Sequence, residues 1–138
     1  MRVMVLVKAT EESERGNYAD HVDEFVAMGK FNEELVKAGI MLAGEGLTPS
    51  AEGTRVSFDA GGGTRVIDGP FTEAKELVAG FWIWQVSSME EAVEWLKRSP
   101  FKDGTVELRR IMEPADFEGQ ISQELLDAEQ RLRAQSQS

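Results

Sequence analysis

The sequence predicts an α+β domain, and three observations carry that prediction. Short apolar runs rich in β-branched or aromatic residues stand at Val3 to Val7, Ala79 to Val86 and Thr105 to Met112. Between them, apolar residues recur at helical spacing, first as Val22, Phe25, Met28 and Leu35 and later as Met89, Val93 and Leu96. Finally, Ala60-Gly61-Gly62-Gly63 separates Arg55 to Phe58 from Thr64 to Ile67, as the tip of a hairpin would.

In chain order, the first strand gives way to a polar turn from Glu11 to Asn17, and then to a helix that ends at Lys37-Ala38-Gly39, with Gly39 as its left-handed cap. Ile40 to Ala43 resumes an extended run. The triple glycine does not have the order of a phosphate-binding loop, because no helix opens after it. Ser88-Met89-Glu90-Glu91 is a Ser-x-x-Glu box that starts the second helix, and Ser99-Pro100 stops it. In the last strand, Val106, Leu108 and Arg110 alternate with Glu107, Arg109 and Ile111. Strand, helix, a run of strands, helix and strand is the succession of a ferredoxin-like domain carrying an extra hairpin.

After Glu113-Pro114 the composition turns polar, yet Ile121, Leu125, Ala128 and Leu132 form an amphipathic stripe. The expected organisation is a folded domain over residues 1–113 and a C-terminal helical extension over 114–138, fraying from Ala134 to Ser138. A length of 138 residues suits one domain.

The strand at 79–86 also carries a quaternary expectation. Phe81, Ile83 and Gln85 face one side and Trp82, Trp84 and Val86 the other, so both sheet faces are apolar. One layer of two helices covers only one face, so the C-terminal helix or a second subunit must cover the other. A homodimer with facing sheets is expected, with Trp82 as a candidate ligand contact.

Fifteen Lys and Arg against twenty-five Asp and Glu give a net charge of −10. Such a surface repels phosphate backbones and anionic membranes, so neither nucleic acid nor membrane is an expected partner. The absence of cysteine excludes a disulfide framework, a thiol nucleophile, an iron–sulfur cluster and a thiolate zinc site. The lone His21 cannot supply a two-histidine metal set. No metal or organic cofactor is expected, and a cytoplasmic location is.

The most distinctive segment is Val66-Ile67-Asp68-Gly69-Pro70-Phe71-Thr72-Glu73-Ala74-Lys75-Glu76, running into Leu77-Val78-Ala79-Gly80-Phe81. It closely resembles the signature of the YCII-related (YciI-like, DGPF-domain) family. Phe31 to Gly39, Ala43 to Leu47 and Ser88 to Pro100 stand in the matching order. The resemblance covers roughly residues 1–113 and implies a dimeric α/β-barrel of two ferredoxin-like subunits. It further implies either dehalogenating or lyase-type chemistry on aromatic compounds, with a His–Asp pair at the site, or a regulatory role beside extracytoplasmic-function sigma factors. Only His21 can correspond to the family's histidine.

In the Asp68-Gly69-Pro70-Phe71 turn, Gly69 is free to take positive φ, Pro70 fixes φ, and Thr72 is placed to cap a short helix. Such a turn holds a carboxylate rigidly at a strand end, which suits Asp68 to general acid–base work or equally to a structural role. Lys8, at the end of a central first strand, is its candidate charge partner, and His21 is the alternative. Glu45, flanked by Gly44 and Gly46, is a further ligand candidate or an exposed acid at a bulge, and Phe71 adds an aromatic contact. Arg109 and Arg110 either anchor an anion or pair with Glu107 and Glu113. Two functions follow: a cofactor-independent lyase, isomerase or dehalogenase acting on a small acidic or aromatic molecule, or a non-catalytic dimeric ligand-binding or regulatory module in which the turn is a clasp.

Overall fold

Alternation along the first strand puts Val3 and Val5 on one face, and the fold is organised around burying them. The computed structural model describes residues 1–136 and shows a mixed α/β chain with antiparallel sheets and four helices. In order these are β1 (Arg2–Lys8), α1 (Glu11–Arg15), α2 (Val22–Lys37), β2 (Met41–Gly46), β3 (Thr54–Phe58), β4 (Thr64–Asp68), β5 (Val78–Gln85), α3 (Met89–Lys97), β6 (Val106–Arg110) and α4 (Gln123–Ser136). The main sheet has the order β2-β5-β1-β6, while β3 and β4 form a separate two-stranded sheet inserted between β2 and β5.

The β1–β5 register sets Val3 opposite Trp84 and Val5 opposite Trp82. All four side chains are buried, together with Val86, beneath Phe31 and Leu35 of α2 and Ala92 of α3. Phe31 stands edge-on to both indoles, at 6.0 and 6.3 Å between ring centroids. Gly44 of β2 is a close-approach position, since a Cβ there would lie 2.7 Å from the Trp82 ring. On the other face, Met4 opposite Ile83 and Leu6 opposite Phe81 are only half-buried. The tryptophans therefore lie under the helices, and it is the phenylalanine and isoleucine face that the chain leaves partly open.

Gly39 takes φ 72° at the end of α2, as its position predicts. Ser88 caps α3 by accepting the Glu91 N–H, but the Glu91 carboxylate turns to the Ser87 hydroxyl at 2.6 Å, so the box is half formed. The segment expected as a plain turn after β1 contains α1, because Thr10 and Ser13 complete a reciprocal capping box.

The C-terminal stripe does not pack within the chain. Leu125 and Leu132 are 63% and 66% exposed, and the buried residue of α4 is Leu126. What anchors this extension is a polar clamp: Arg110 donates to both Asp116 carboxylate oxygens at 2.9 and 2.6 Å, and the Glu113 N–H donates to one of them at 2.7 Å. Arg110 and that N–H pull the Asp116 pKa down to about 2. Of the stretch expected to fray, Ala134 to Ser136 close α4, and residues 137–138 lie outside the described residues. Among the described residues, no helix is long and apolar enough to cross a membrane.

Leu35 is fully buried at the centre of this core. Leu35→Ala is expected to destabilise the fold by about 2–5 kcal/mol, read as a lowered urea midpoint with unchanged slope.

Candidate functional site

The chain between β1 and α2 is almost entirely polar, and its polar groups converge on His21. Thr10 starts α1, Gly16 ends it at φ 70°, and a single 3-10 turn at Ala19–His21 leads into α2. This path returns His21 to the face of α1. Its Nε2 lies 3.1 Å from Glu12 Oε1, and its Nδ1 lies 3.4 Å from Glu24 Oε2. A neutral imidazole has one N–H and can serve only one of two carboxylates, whereas the imidazolium serves both. The His21 pKa is accordingly raised, chiefly by the hydrogen bond to Glu12, which outweighs the opposing effect of desolvation, and then by the charges of Glu24 and Glu12. Glu12 is held below its ordinary value by the same hydrogen bond and by its ion pair with Arg15.

His21 lines a cleft of about 510 Å³ together with Glu12, Glu24, Tyr18, Phe25 and Asp103. Tyr18 and Phe25 meet edge-to-face at 5.9 Å and also line a neighbouring cleft of about 590 Å³ walled by Leu47, Pro49 and Ala79. Phe25 borders a third hollow of about 360 Å³, formed with Met28, Phe81, Trp82, Phe101 and Glu45. A polar, titratable recess thus adjoins one apolar cleft across Tyr18 and Phe25 and a second hollow across Phe25 alone. Phe25 is 58% exposed because the apolar stripe of α2 continues past the residues that pack on the sheet.

The residues singled out from sequence are not gathered here. Asp68 is exposed at the end of β4 and accepts a hydrogen bond from the Thr54 hydroxyl across the hairpin at 3.3 Å. Lys8 does sit at the end of a central strand, but it faces Glu107 at 3.7 Å. None of the clefts described here is lined by Asp68 or Lys8. The expected partnership of Asp68 with Lys8 or His21 is therefore absent, since each has another partner nearer. Glu45 and Trp82 do share the third hollow, where the Trp82 Nε1–H donates to Asn32 Oδ1 at 2.9 Å. The irregularity of β2 falls between Met41 and Ala43, not at Glu45. Arg109 pairs with Glu107, as one alternative foresaw, while Arg110 chooses Asp116 over Glu113 as its hydrogen-bond acceptor.

The Asp68-Gly69-Pro70-Phe71 turn is a clasp on residues 50–53. The Gly69 N–H donates to the Gly53 carbonyl at 2.9 Å, the Phe71 N–H donates to Ser50 Oγ at 3.0 Å, and the Arg55 guanidinium lies 3.7 Å over the Phe71 ring. The Gly69–Pro70 peptide is cis. Gly69 does not take positive φ; it is required because a Cβ would fall 1.7 Å from the Ser50 carbonyl oxygen. Thr72 does not cap the following turn, whose N-cap position is Glu73 and carries no side-chain cap.

Sequence reasoning missed Glu12, Glu24, Tyr18 and Phe25 as neighbours of His21. Glu24 stands three residues on, a helical neighbour visible in the sequence. Glu12 is nine residues back, and no local periodicity brings it to the ring.

An antiparallel four-stranded sheet with helices on one face and an inserted hairpin defines the class of domain, and the comparisons with known proteins give it a family. The model of the YCII-related domain matches residues 1–115, and the chain belongs to that family. No curated protein matches the chain. Among solved structures, the chain is similar to 5-chloro-2-hydroxyhydroquinone dehydrochlorinase (TftG) from Burkholderia phenoliruptrix AC1100, in complex with 2,5-dihydroxybenzoquinone, at 19% identity, 82% coverage of this chain, 95% of that chain and a TM-score of 0.47.

The raised His21 pKa has a consequence for stability. Its contribution is complete below the unfolded-chain value of 6.5 and disappears as pH rises through the higher folded value. The wild-type urea midpoint is therefore expected to decline across that window, and His21→Gln to remove that part of the decline. Superimposable pH profiles for the two proteins would contradict the assignment.

Proposed function

We propose that the chain is a small-molecule enzyme that works without a cofactor, with His21 as its acid–base group and a flat, largely apolar substrate seated against Tyr18 and Phe25. One observation carries this reading: His21 is held by a carboxylate at each ring nitrogen, 3.1 and 3.4 Å away, in a polar recess that Tyr18 and Phe25 share with a neighbouring apolar cleft. An imidazolium so held is a proton donor, and after giving up one proton the neutral ring keeps a single N–H hydrogen bond and can take the proton back as a base. Lyase, isomerase or dehalogenating steps, in which a proton moves on or off carbon or oxygen as a bond forms or leaves, suit such a group. Glu45 and Asn32 border the hollow beyond Phe25 and supply an acceptor and an amide for hydroxyl groups of an aromatic substrate. In this reading Asp68 is the carboxylate of a structural clasp, the part of the binding-module alternative that its contacts favour.

The same reading includes a homodimer. The half-buried side chains of Met4, Leu6, Phe81 and Ile83 lie on the sheet face that the packed helices α2 and α3 do not cover. A second copy placing its own sheet there would remove that apolar surface from water, as in the two-subunit α/β-barrel of ferredoxin-like domains that the family implies.

The test is a thermal-shift screen with hydroxylated aromatics and small carboxylic acids, in which a ligand at 100 times its Kd adds about 2.7 kcal/mol of native stability. A planar aromatic hit is expected, weakened in Phe25→Ala and retained in Asp68→Asn, with turnover of that compound abolished in His21→Asn. A hit lost in Asp68→Asn but kept in Phe25→Ala would move the site to the hairpin turn. Sedimentation is expected to give about twice the 15.3 kDa chain mass, and a monomer at micromolar concentration would sink the dimer.

A further inference from the structure

We propose that Ser50 is a positioning residue for the His21–Glu12 pair, gripping the Glu14 carboxylate and thereby fixing the short helix from which Glu12 projects. The proposal rests on the reading of His21 and Glu12 as the acid–base pair. The helix α1 is five residues long and buries none of them, so apolar packing does not hold it in place. Its Thr10–Ser13 capping box fixes its start but ties it only to itself. The chain just before it is held by the Ala9 N–H on the Leu77 carbonyl at 2.8 Å, and within the helix the tie to a distant part of the chain is Glu14. One carboxylate oxygen accepts the Ser50 N–H at 2.9 Å, and the other accepts the Ser50 hydroxyl.

Ser50 is suited to this work by its surroundings. Among the described residues it is the buried polar one, 9% exposed, at the head of the 3-10 turn Ser50–Glu52. Its hydroxyl is used twice, donating to Glu14 and accepting the Phe71 N–H at 3.0 Å. The turn that contains Asp68 and Gly69 thus closes on the backbone of residues 50–53 and holds Ser50, and Ser50 in turn holds α1. With Glu14 held, the rigid helix places Glu12 on its opposite side, where it meets His21. The family's signature turn is connected to the candidate acid–base group through one hydroxyl and one carboxylate, although Asp68 itself touches neither.

His21 provides a direct readout, because it is the single histidine of the chain and its ring protons are unambiguous in an NMR titration. The charged groups facing it are Glu12 from α1 and Glu24 from α2. Asp103 lies in the same cleft, Asp20 is in its own turn, and Arg15 is paired with Glu12. The variants Ser50→Ala, Glu14→Gln, Ser50→Thr and Glu12→Gln are titrated without substrate, each checked for a native amide fingerprint. Ser50→Ala and Glu14→Gln are expected to lower the His21 midpoint part of the way towards that of Glu12→Gln, while Ser50→Thr, which keeps the hydroxyl, retains the wild-type value. A wild-type midpoint in both Ser50→Ala and Glu14→Gln, beside a lowered one in Glu12→Gln, would overturn the proposal and leave Ser50 as a clasp for the hairpin alone. Should Ser50→Ala not fold, Glu14→Asp, which keeps the charge but shortens the reach to Ser50, decides the same question. An unchanged midpoint in Glu12→Gln would instead refute the His21–Glu12 pair itself. Loss of catalytic activity plays no part in either outcome, so failure of the enzyme reading is seen separately, in the His21→Asn turnover assay.

Discussion

The pairing of β1 with β5 is the constraint on which the rest of the structure depends. Val3 and Val5 against Trp84 and Trp82 make one face of two adjacent strands entirely apolar, and only a layer of helices can keep that face dry. Phe31 and Leu35 answer it from α2, one helical turn apart, so the rotation of α2 about its axis is set by the indoles beneath it. Once that rotation is set, Phe25 is carried to the margin of the packed layer, and His21 is the residue from which the helix starts. The candidate site is thus a by-product of core packing, placed where an apolar stripe outlasts the surface it packs against.

The polar half of the site depends on a different kind of force. Around α1 there is little to bury, and position is fixed by hydrogen bonds and charge: the capping box at Thr10, the left-handed Gly16, and the Glu14 carboxylate on Ser50. Such contacts are directional, and each contributes modestly to stability in partly solvated surroundings. They are well suited to holding a titratable pair at hydrogen-bond distance while leaving it open to a cleft. The same economy holds the C-terminal extension, where the Arg110–Asp116 clamp succeeds although α4 buries only one leucine.

The glycine and aromatic residues of the signature turn show how a motif can be legible and yet be assigned the wrong physical reason. Gly69 is indispensable in the structure, but for close approach to the Ser50 carbonyl and not for positive φ. Phe71 contributes its backbone N–H to Ser50 and its ring face to Arg55. Asp68, the most conspicuous carboxylate of the sequence, ends up exposed on the hairpin beside Thr54. A short sequence window reports the residue types a turn needs, and it says nothing about which backbone the turn folds against.

By itself the sequence determined what is local or strictly periodic. The six strands, the long helix ending at Gly39, the Ser88 cap, the hairpin around the triple glycine and the division of β5 into two apolar faces all follow from spacings of two or about 3.6 residues and from turn chemistry. Tertiary structure alone decided that Glu12 meets His21, which partner Lys8 takes, and that Leu126 and not the Leu125–Leu132 stripe packs inward. The reason is one of range. Secondary structure is selected by forces that act within a few residues, whereas an ion pair between Glu12 and His21, or a hydrogen bond from Ser50 to Glu14 across thirty-six positions, exists only after the sheet and α2 have fixed the path of the chain.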